Sequence, residues 1–284
     1  MSVLSRICYV VLSTLARILP PSISYLIGET LAVVCFLLCT GRRRNLTSNL
    51  RIVLGDSNLS GLSRVVFRVM LNFGRGVTEV FMIPHLSDKH LLANTTIEGR
   101  ERLDSIVSAG RGVILVTAHL GSWELGGAAL AAMGYKITTV AGTQFTRSLS
   151  PHIKAMKRAR GIEVVSAEGG TLSIVRALRR GEAVALHIDG DQYLGGITTD
   201  FFGRKTVLPR GPAGLAIKTG AAIIPAFAIR TARGKITVRI EEEIPVHGPD
   251  ENILTASVAA VVEDRIRRYA DQWCMFRLIW ENAQ

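Results

Sequence analysis

Two side chains suited to proton transfer, His119 and Glu124, stand five positions apart in "LVTAHLGSWELGG" (residues 115–127), directly after a run of small and β-branched apolar residues. On a continuous helix, positions i and i+5 lie about 140° apart and could not share a face. A strand ending at His119, followed by a Gly-Ser turn into a helix, changes that geometry. The imidazole then stands at the sheet edge, and Glu124, near the helix start, folds back toward it. Open α/β sheets bind ligands at such carboxyl ends of strands. The pair suits removal of a proton from a hydroxyl as it attacks a carbonyl. A carboxylate on the other ring nitrogen would fix the tautomer and stabilise the imidazolium. With a thioester as acyl donor no enzyme nucleophile is required, and the chain has neither a G-x-S-x-G elbow nor a cysteine beside His119. Backbone N–H groups of the Gly121–Trp123 turn, or a nearby arginine, could hold the developing oxyanion. Alone, H-x4-E is a short motif that a purely structural pair would also satisfy.

A second constellation is H-x-D-x-D, formed by His187, Asp189 and Asp191. Alternate residues share a face of a strand, so these three with His119 and Glu124 form a candidate metal set. For Asp189 and Asp191, capping of a strand-to-loop turn is the structural alternative.

The elements that position these residues are legible from residue 112 onward. "GVILVTA" (112–118), "KITTVAG" (136–142), "IEVVS" (162–166), "EAVALHI" (182–188), "AAIIPAFAI" (221–229) and "KITVRI" (235–240) are short and β-branched. Helical stretches at 124–133, 151–160, 171–180 and 211–219 separate many of them, and an amphipathic helix spans about 251–272. Such alternation predicts an α/β sandwich around a mostly parallel or mixed sheet. Upstream, Leu62, Val65, Val66, Val69 and Phe73 predict a helix over 62–82. Arg64, Arg68 and Arg75 fall within about 40° on it, either a solvated face or a phosphate-facing stripe.

The 284 residues carry a formal net charge of +11, which points to a polyanionic partner: nucleic acid, an anionic membrane or a phosphorylated substrate. Aromatic residues make up only 6%, with no zinc-finger spacing, which disfavours nucleic acid. The mean hydropathy of +0.29 owes much to the first forty residues. There, two apolar stretches flank Pro20-Pro21, the second interrupted only by Glu29 and followed by Arg42, Arg43 and Arg44. Its length suits a membrane-spanning helix, while Glu29 is costly in one. The alternatives are one span, a helical hairpin lying in one leaflet, or a buried core pair, with the arginines at cytoplasmic headgroups if a membrane is involved. Cys8, Cys35, Cys39 and Cys274 read as small buried hydrophobes in a reducing compartment.

Several linked blocks carry more than H-x4-E does. "RRRNLTSNL", "TAHLGSWELGG", "ALRRGEAVALHIDGDQ", "DFFGRKTVLPRGPAGLAIKTGAAIIP" and "ADQWCMFRLIW" occur in the order seen in bacterial late acyltransferases of lipid A biosynthesis, a superfamily that includes phosphatidylinositol-mannoside acyltransferase. The resemblance spans nearly the whole chain. It implies a glycerolphosphate-acyltransferase-like fold, with residues 1–44 as a membrane anchor and 45–284 as the acyltransferase domain. It implies transfer of a fatty acyl group from acyl carrier protein or coenzyme A, a co-substrate and not a bound cofactor, to a glycolipid hydroxyl at the cytoplasmic face of the inner membrane. On that resemblance His119 is the general base and Glu124 its orienting acid. Asp189 and Asp191 match a paired-aspartate block, Phe202 and Gly203 an aromatic-Gly turn, and Arg158 an arginine expected to meet phosphate. Arg147, in "AGTQFTR", stands where the family often has aromatic-Arg-Pro. The terminal block lacks the family's usual histidine. Two alternatives remain open: a non-catalytic membrane protein that binds anionic glycolipids, and a metal-dependent hydrolase using His187, Asp189 and Asp191.

Overall fold

A computed structural model describes residues 3–55, 60–141, 150–166, 169–190 and 195–280. Arg147 and Asp191 lie outside the described residues. Helices α1 (Val3–Ile18), α2 (Pro21–Leu38), α3 (Thr40–Leu54) and α4 (Leu62–Met82) precede the sheet-forming region. Then come α5 (Asp88–Ala93), β1 (Thr95–Glu98), α6 (Arg100–Ser108), β2 (Val113–Thr117), α7 (Trp123–Ala132), β3 (Ile137–Ala141), α8 (Ser150–Ala159), β4 (Glu163–Ser166), α9 (Thr171–Arg179) and β5 (Ala183–His187). After these follow β6 (Gly196–Phe201), β7 (Arg204–Pro209), α10 (Gly211–Thr219), β8 (Ala222–Ala232), β9 (Lys235–Ile240) and α11 (Glu251–Arg268).

Seven strands form one sheet in the order β1-β9-β8-β2-β5-β3-β4. All neighbours are parallel except β8 and β9, so the sheet is mixed, as the alternation of strands and helices predicts. Every residue of β2 is buried, because helices cover both faces of a central parallel strand. On one face Leu115, Leu125, Ala128 and Ile137 pack with Val113, Ala226 and Val238 against α7. On the other, Ile114, Val116 and Val184 pack with α4, α9, α10, α11 and the terminal Trp273–Phe276. That is an αβα sandwich.

Two pieces were not legible in the sequence. β1 is four residues long, too short to show a period. β6 and β7 form a separate antiparallel hairpin whose two-residue turn is Phe202-Gly203, with φ of 55° and 70°. Two successive positive φ values match the twist of a tight hairpin and explain the glycine at 203.

The first four helices are docked, not loosely appended. Tyr25, Glu29 and Ala32 are buried at helical spacing on α2, facing α4, and residue 44 falls inside α3. At the α2–α4 crossing, a Cβ on Gly74 would stand 2.6 Å from the Gly28 carbonyl oxygen, so the backbones meet directly. Glu29 accepts from Arg75 Nε (2.6 Å) and Arg233 Nε (2.9 Å). Arg75 therefore points inward, while Arg64 and Arg68 stay exposed, Arg68 lying 3.6 Å from Asp271. The cysteine expectation also needs correction. Cys274 is buried, whereas Cys35 is exposed.

Below that crossing, Glu79 of α4 is buried against Arg230 of β8 in a bidentate pair, with Nη2 to Oε2 at 2.9 Å. Tyr25 O–H (2.9 Å) and Ser122 O–H (2.5 Å) donate to the same carboxylate. Removing one partner of a buried pair strands the other charge, so Glu79→Gln is expected to destabilise the protein by about 3–5 kcal/mol in chemical unfolding. A loss below 1 kcal/mol would mean the pair is not closed in solution.

Candidate active site

β2 and β5 run side by side with Thr117 opposite His187, so both strands deliver their carboxyl ends to one place. Two residues beyond β2, His119 is held on four sides. Its Nδ1 lies 2.9 Å from Asp189 Oδ1, and its backbone N–H donates to Asp189 Oδ2 at 2.8 Å. Its carbonyl accepts from the Cys274 N–H at 2.8 Å. Its ring stacks on His187, with centroids 4.4 Å apart, and meets Trp123 edge-on at 5.3 Å. Gly121 permits the turn that follows. Its φ is 69°, and a Cβ there would stand 2.1 Å from the Ala228 carbonyl oxygen.

Asp189 is fully buried and also accepts from Trp273 Nε1 at 2.9 Å. Burial alone would raise its pKa. The neighbouring His119 imidazole and the hydrogen bonds from His119 outweigh that effect and hold it at about 2. An ionised carboxylate only accepts, so Nδ1 of His119 carries a proton toward Asp189, and in the neutral ring the lone pair lies on Nε2.

This corrects the expected pairing. The carboxylate on Nδ1 is Asp189, not Glu124. Glu124, in the first turn of α7, accepts instead from Trp123 Nε1 (3.1 Å) and pairs with Lys157 of α8 (3.2 Å). The i+5 spacing brought Glu124 into the neighbourhood without aiming it at the imidazole. Arg158, the expected phosphate contact, is exposed on α8, and it is Lys157, one residue before, that reaches inward. Phe202 is buried behind the site, its ring 6.4 Å from that of Trp273 and its backbone N–H donating to Glu263 at 2.7 Å, with Gly203 completing the turn. Two proposed oxyanion donors are already engaged: Gly121 N–H donates to the Gln272 carbonyl (3.0 Å) and Ser122 N–H to that of Ala228 (2.7 Å). Among the described residues, no three His, Cys, Asp or Glu side chains group as a metal set, and the Asp189 oxygens are committed to His119 and Trp273.

The residues not anticipated come from the chain's end. Gln272 exchanges hydrogen bonds with the Arg230 backbone (2.9 and 3.0 Å), which sets Trp273 against Asp189 and Cys274 against His119. "QWC" was visible as a block, but its partners lie more than forty residues away along the chain.

Two apolar spaces open beside this centre, and a third lies among the N-terminal helices. One, of about 70 Å³, runs between the sheet and α7 from Trp123, Glu124, Lys157 and His187 past Gly126 and Gly127 toward Leu130 and Ile162. The second, about 80 Å³, lies between α4 and the Gly121–Glu124 turn. It shares Phe73, Val77 and Phe81 with the third, of about 180 Å³, among α1, α2 and α4.

A half-buried histidine tied to a buried carboxylate beside apolar spaces is compatible with acyl transfer, and the sequence comparisons point to the same chemistry. The bacterial lipid A biosynthesis acyltransferase profile matches residues 2–282. The chain belongs to that family. It is an acyltransferase of the lipid A and glycolipid type. It is 28% identical over 246 residues to a phosphatidylinositol mannoside acyltransferase of Mycobacterium tuberculosis, covering 84% of this chain and 78% of that one. A protein of the same name from Mycolicibacterium smegmatis is 27% identical over 84% of this chain and 80% of its own. The lipid A biosynthesis palmitoleoyltransferase of Escherichia coli is 24% identical over 79% and 74%. The 1-acyl-sn-glycerophosphate acyltransferase of Thermotoga maritima overlays with a TM-score of 0.40 at 15% identity, over 89% of this chain and 99% of that one.

Proposed function

We propose that the protein moves a fatty acyl chain from a phosphopantetheine thioester, on coenzyme A or acyl carrier protein, to a hydroxyl of a membrane glycolipid. The observation that carries this reading is the hydrogen bond between His119 Nδ1 and the buried Asp189, which leaves Nε2 as the basic nitrogen of the neutral ring, while His187, stacked on His119, lines a mostly apolar slot. The acceptor hydroxyl gives its proton to Nε2 as its oxygen attacks the thioester carbonyl carbon. The carbonyl π pair moves onto oxygen, then re-forms the double bond as the C–S bond breaks. The thiolate takes the proton back from His119, so an ester and a free thiol leave and the enzyme is unchanged. Asp189 stabilises the transient imidazolium and does not itself take the proton.

The donor chain is assigned to the slot under α7, which Gly126 and Gly127 line beside the sheet. The acceptor's own chains fit the linked spaces on the two sides of α4, which run from the helical hairpin to the Gly121–Glu124 turn. α2 is long and apolar enough to cross a bilayer, with Leu26, Leu31, Val34 and Leu37 exposed. We read α1 and α2 as lying in one leaflet. Glu29, midway along α2, is tied to Arg233 in the β8–β9 turn, and centring it in a bilayer would draw those charges into hydrocarbon at several kcal/mol. Arg42, Arg44 and Arg51 then meet lipid phosphates at the cytoplasmic face of the inner membrane.

Free-thiol release tests the reading on purified protein in detergent, with palmitoyl-CoA or palmitoyl-acyl carrier protein as donor and a phosphatidylinositol mannoside or a lipid A precursor as acceptor. Release that depends on a glycolipid is expected in at least one pairing. Release indifferent to acceptor in all four would overturn the glycolipid assignment.

A further inference from the structure

We propose that His187 is a second catalytic residue, donating a hydrogen bond from Nε2 to the thioester carbonyl oxygen as it becomes an oxyanion. The proposal rests on the acyl-transfer reading above.

His187 is the last residue of β5 and stacks on His119 with ring centroids 4.4 Å apart. Its ring also meets Trp123 edge-on and lines the slot assigned to the donor chain. Its Nε2 is buried and has no hydrogen-bond partner. A buried polar atom left unpaired is costly, and a ligand atom placed there would relieve that cost. The atom in question is identified by position. With the two rings stacked 4.4 Å apart, a carbonyl attacked by a hydroxyl on His119 would place its oxygen beside the His187 ring.

The reaction needs such a donor. Gly121 and Ser122 N–H are spent on the Gln272 and Ala228 carbonyls, and Lys157 is paired with Glu124. Burial, followed by the adjacent His119, pushes the His187 imidazole well below its ordinary pKa. A neutral ring can donate one N–H without adding a positive charge against the imidazolium that forms on His119, and neutral imidazole serves as an electrophile elsewhere.

The test is the rate of labelled fatty-acid incorporation into the product glycolipid in a deletion strain complemented with each full-length variant, normalised to membrane-borne protein. His187→Leu keeps bulk and removes the donor, and is expected to slow incorporation about 10²–10³-fold, the usual loss for one oxyanion donor. His187→Gln keeps an N–H in similar space and is expected to recover at least tenfold over His187→Leu. If the leucine variant does not accumulate, His187→Ala and His187→Asn form the same comparison. Leucine at near wild-type rate, or glutamine no better than leucine, overturns the proposal while wild type still labels the lipid. Absence of labelling by wild type would instead reject the acyl-transfer reading.

Discussion

His119→Ala is expected to lower acyl transfer toward the upper end of the roughly 10²–10⁴-fold range for loss of a general base. The imidazole is held through its backbone N–H, its carbonyl and its Nδ1, so the surrounding turn survives truncation of the ring: Gly121 and Ser122 keep their carbonyl partners. Stability should therefore change far less than rate. The check is turnover per folded protein, alongside an unfolding curve that stays cooperative. A variant within tenfold of wild type would remove His119 from the chemistry.

The second large effect distinguishes the two carboxylates. In Asp189→Asn the remaining side-chain oxygen keeps the His119 N–H and the Trp273 indole, and the new NH₂ faces His119 Nδ1. An amide N–H must donate, so Nδ1 must accept, and the proton moves to Nε2, where the base is needed. The same tautomer reversal in a Ser-His-Asp triad costs about 10⁴-fold. Asp189→Asn should thus approach His119→Ala, and the double variant should be no worse than His119→Ala alone, because the two act as one unit. Glu124→Gln breaks only the contact with Lys157, and is expected to cost less than about tenfold, equivalent to about 1.4 kcal/mol of barrier. The reverse order of the two effects would restore Glu124 to the orienting role.

Why the sequence pointed to the wrong carboxylate is a matter of distance along the chain. His119 and Glu124 are neighbours in one motif, whereas Asp189 reaches His119 only because β2 and β5 pair in parallel with Thr117 opposite His187. Register of that kind follows from packing, not from local spacing. The six β-branched runs and the intervening helices were legible because period and length mark them, and the 62–82 helix matches α4 at both ends. The resemblance marked the Phe202-Gly203 turn, but the residues alone did not show the β6–β7 strands around it, because Phe202 at positive φ is an unusual choice for an L residue. The Glu79–Arg230 pair was invisible for the reason that Asp189 was: its partners are 151 positions apart. Glu29 shows the converse. Its presence in an apolar helix was plain, and only the positions of Arg75 and Arg233 turn a membrane liability into a docking contact.

Mass spectrometry of total membrane lipids tests the central claim most directly, comparing wild type, a deletion strain and the deletion strain carrying His119→Ala or Asp189→Asn. The account predicts one glycolipid that loses a single acyl chain in the deletion, stays under-acylated in both variants, and is restored by the wild-type chain. Its mass difference gives the chain length, and its headgroup the acceptor. A glycolipid profile unchanged by the deletion, in cells where the wild-type protein is made, would contradict it.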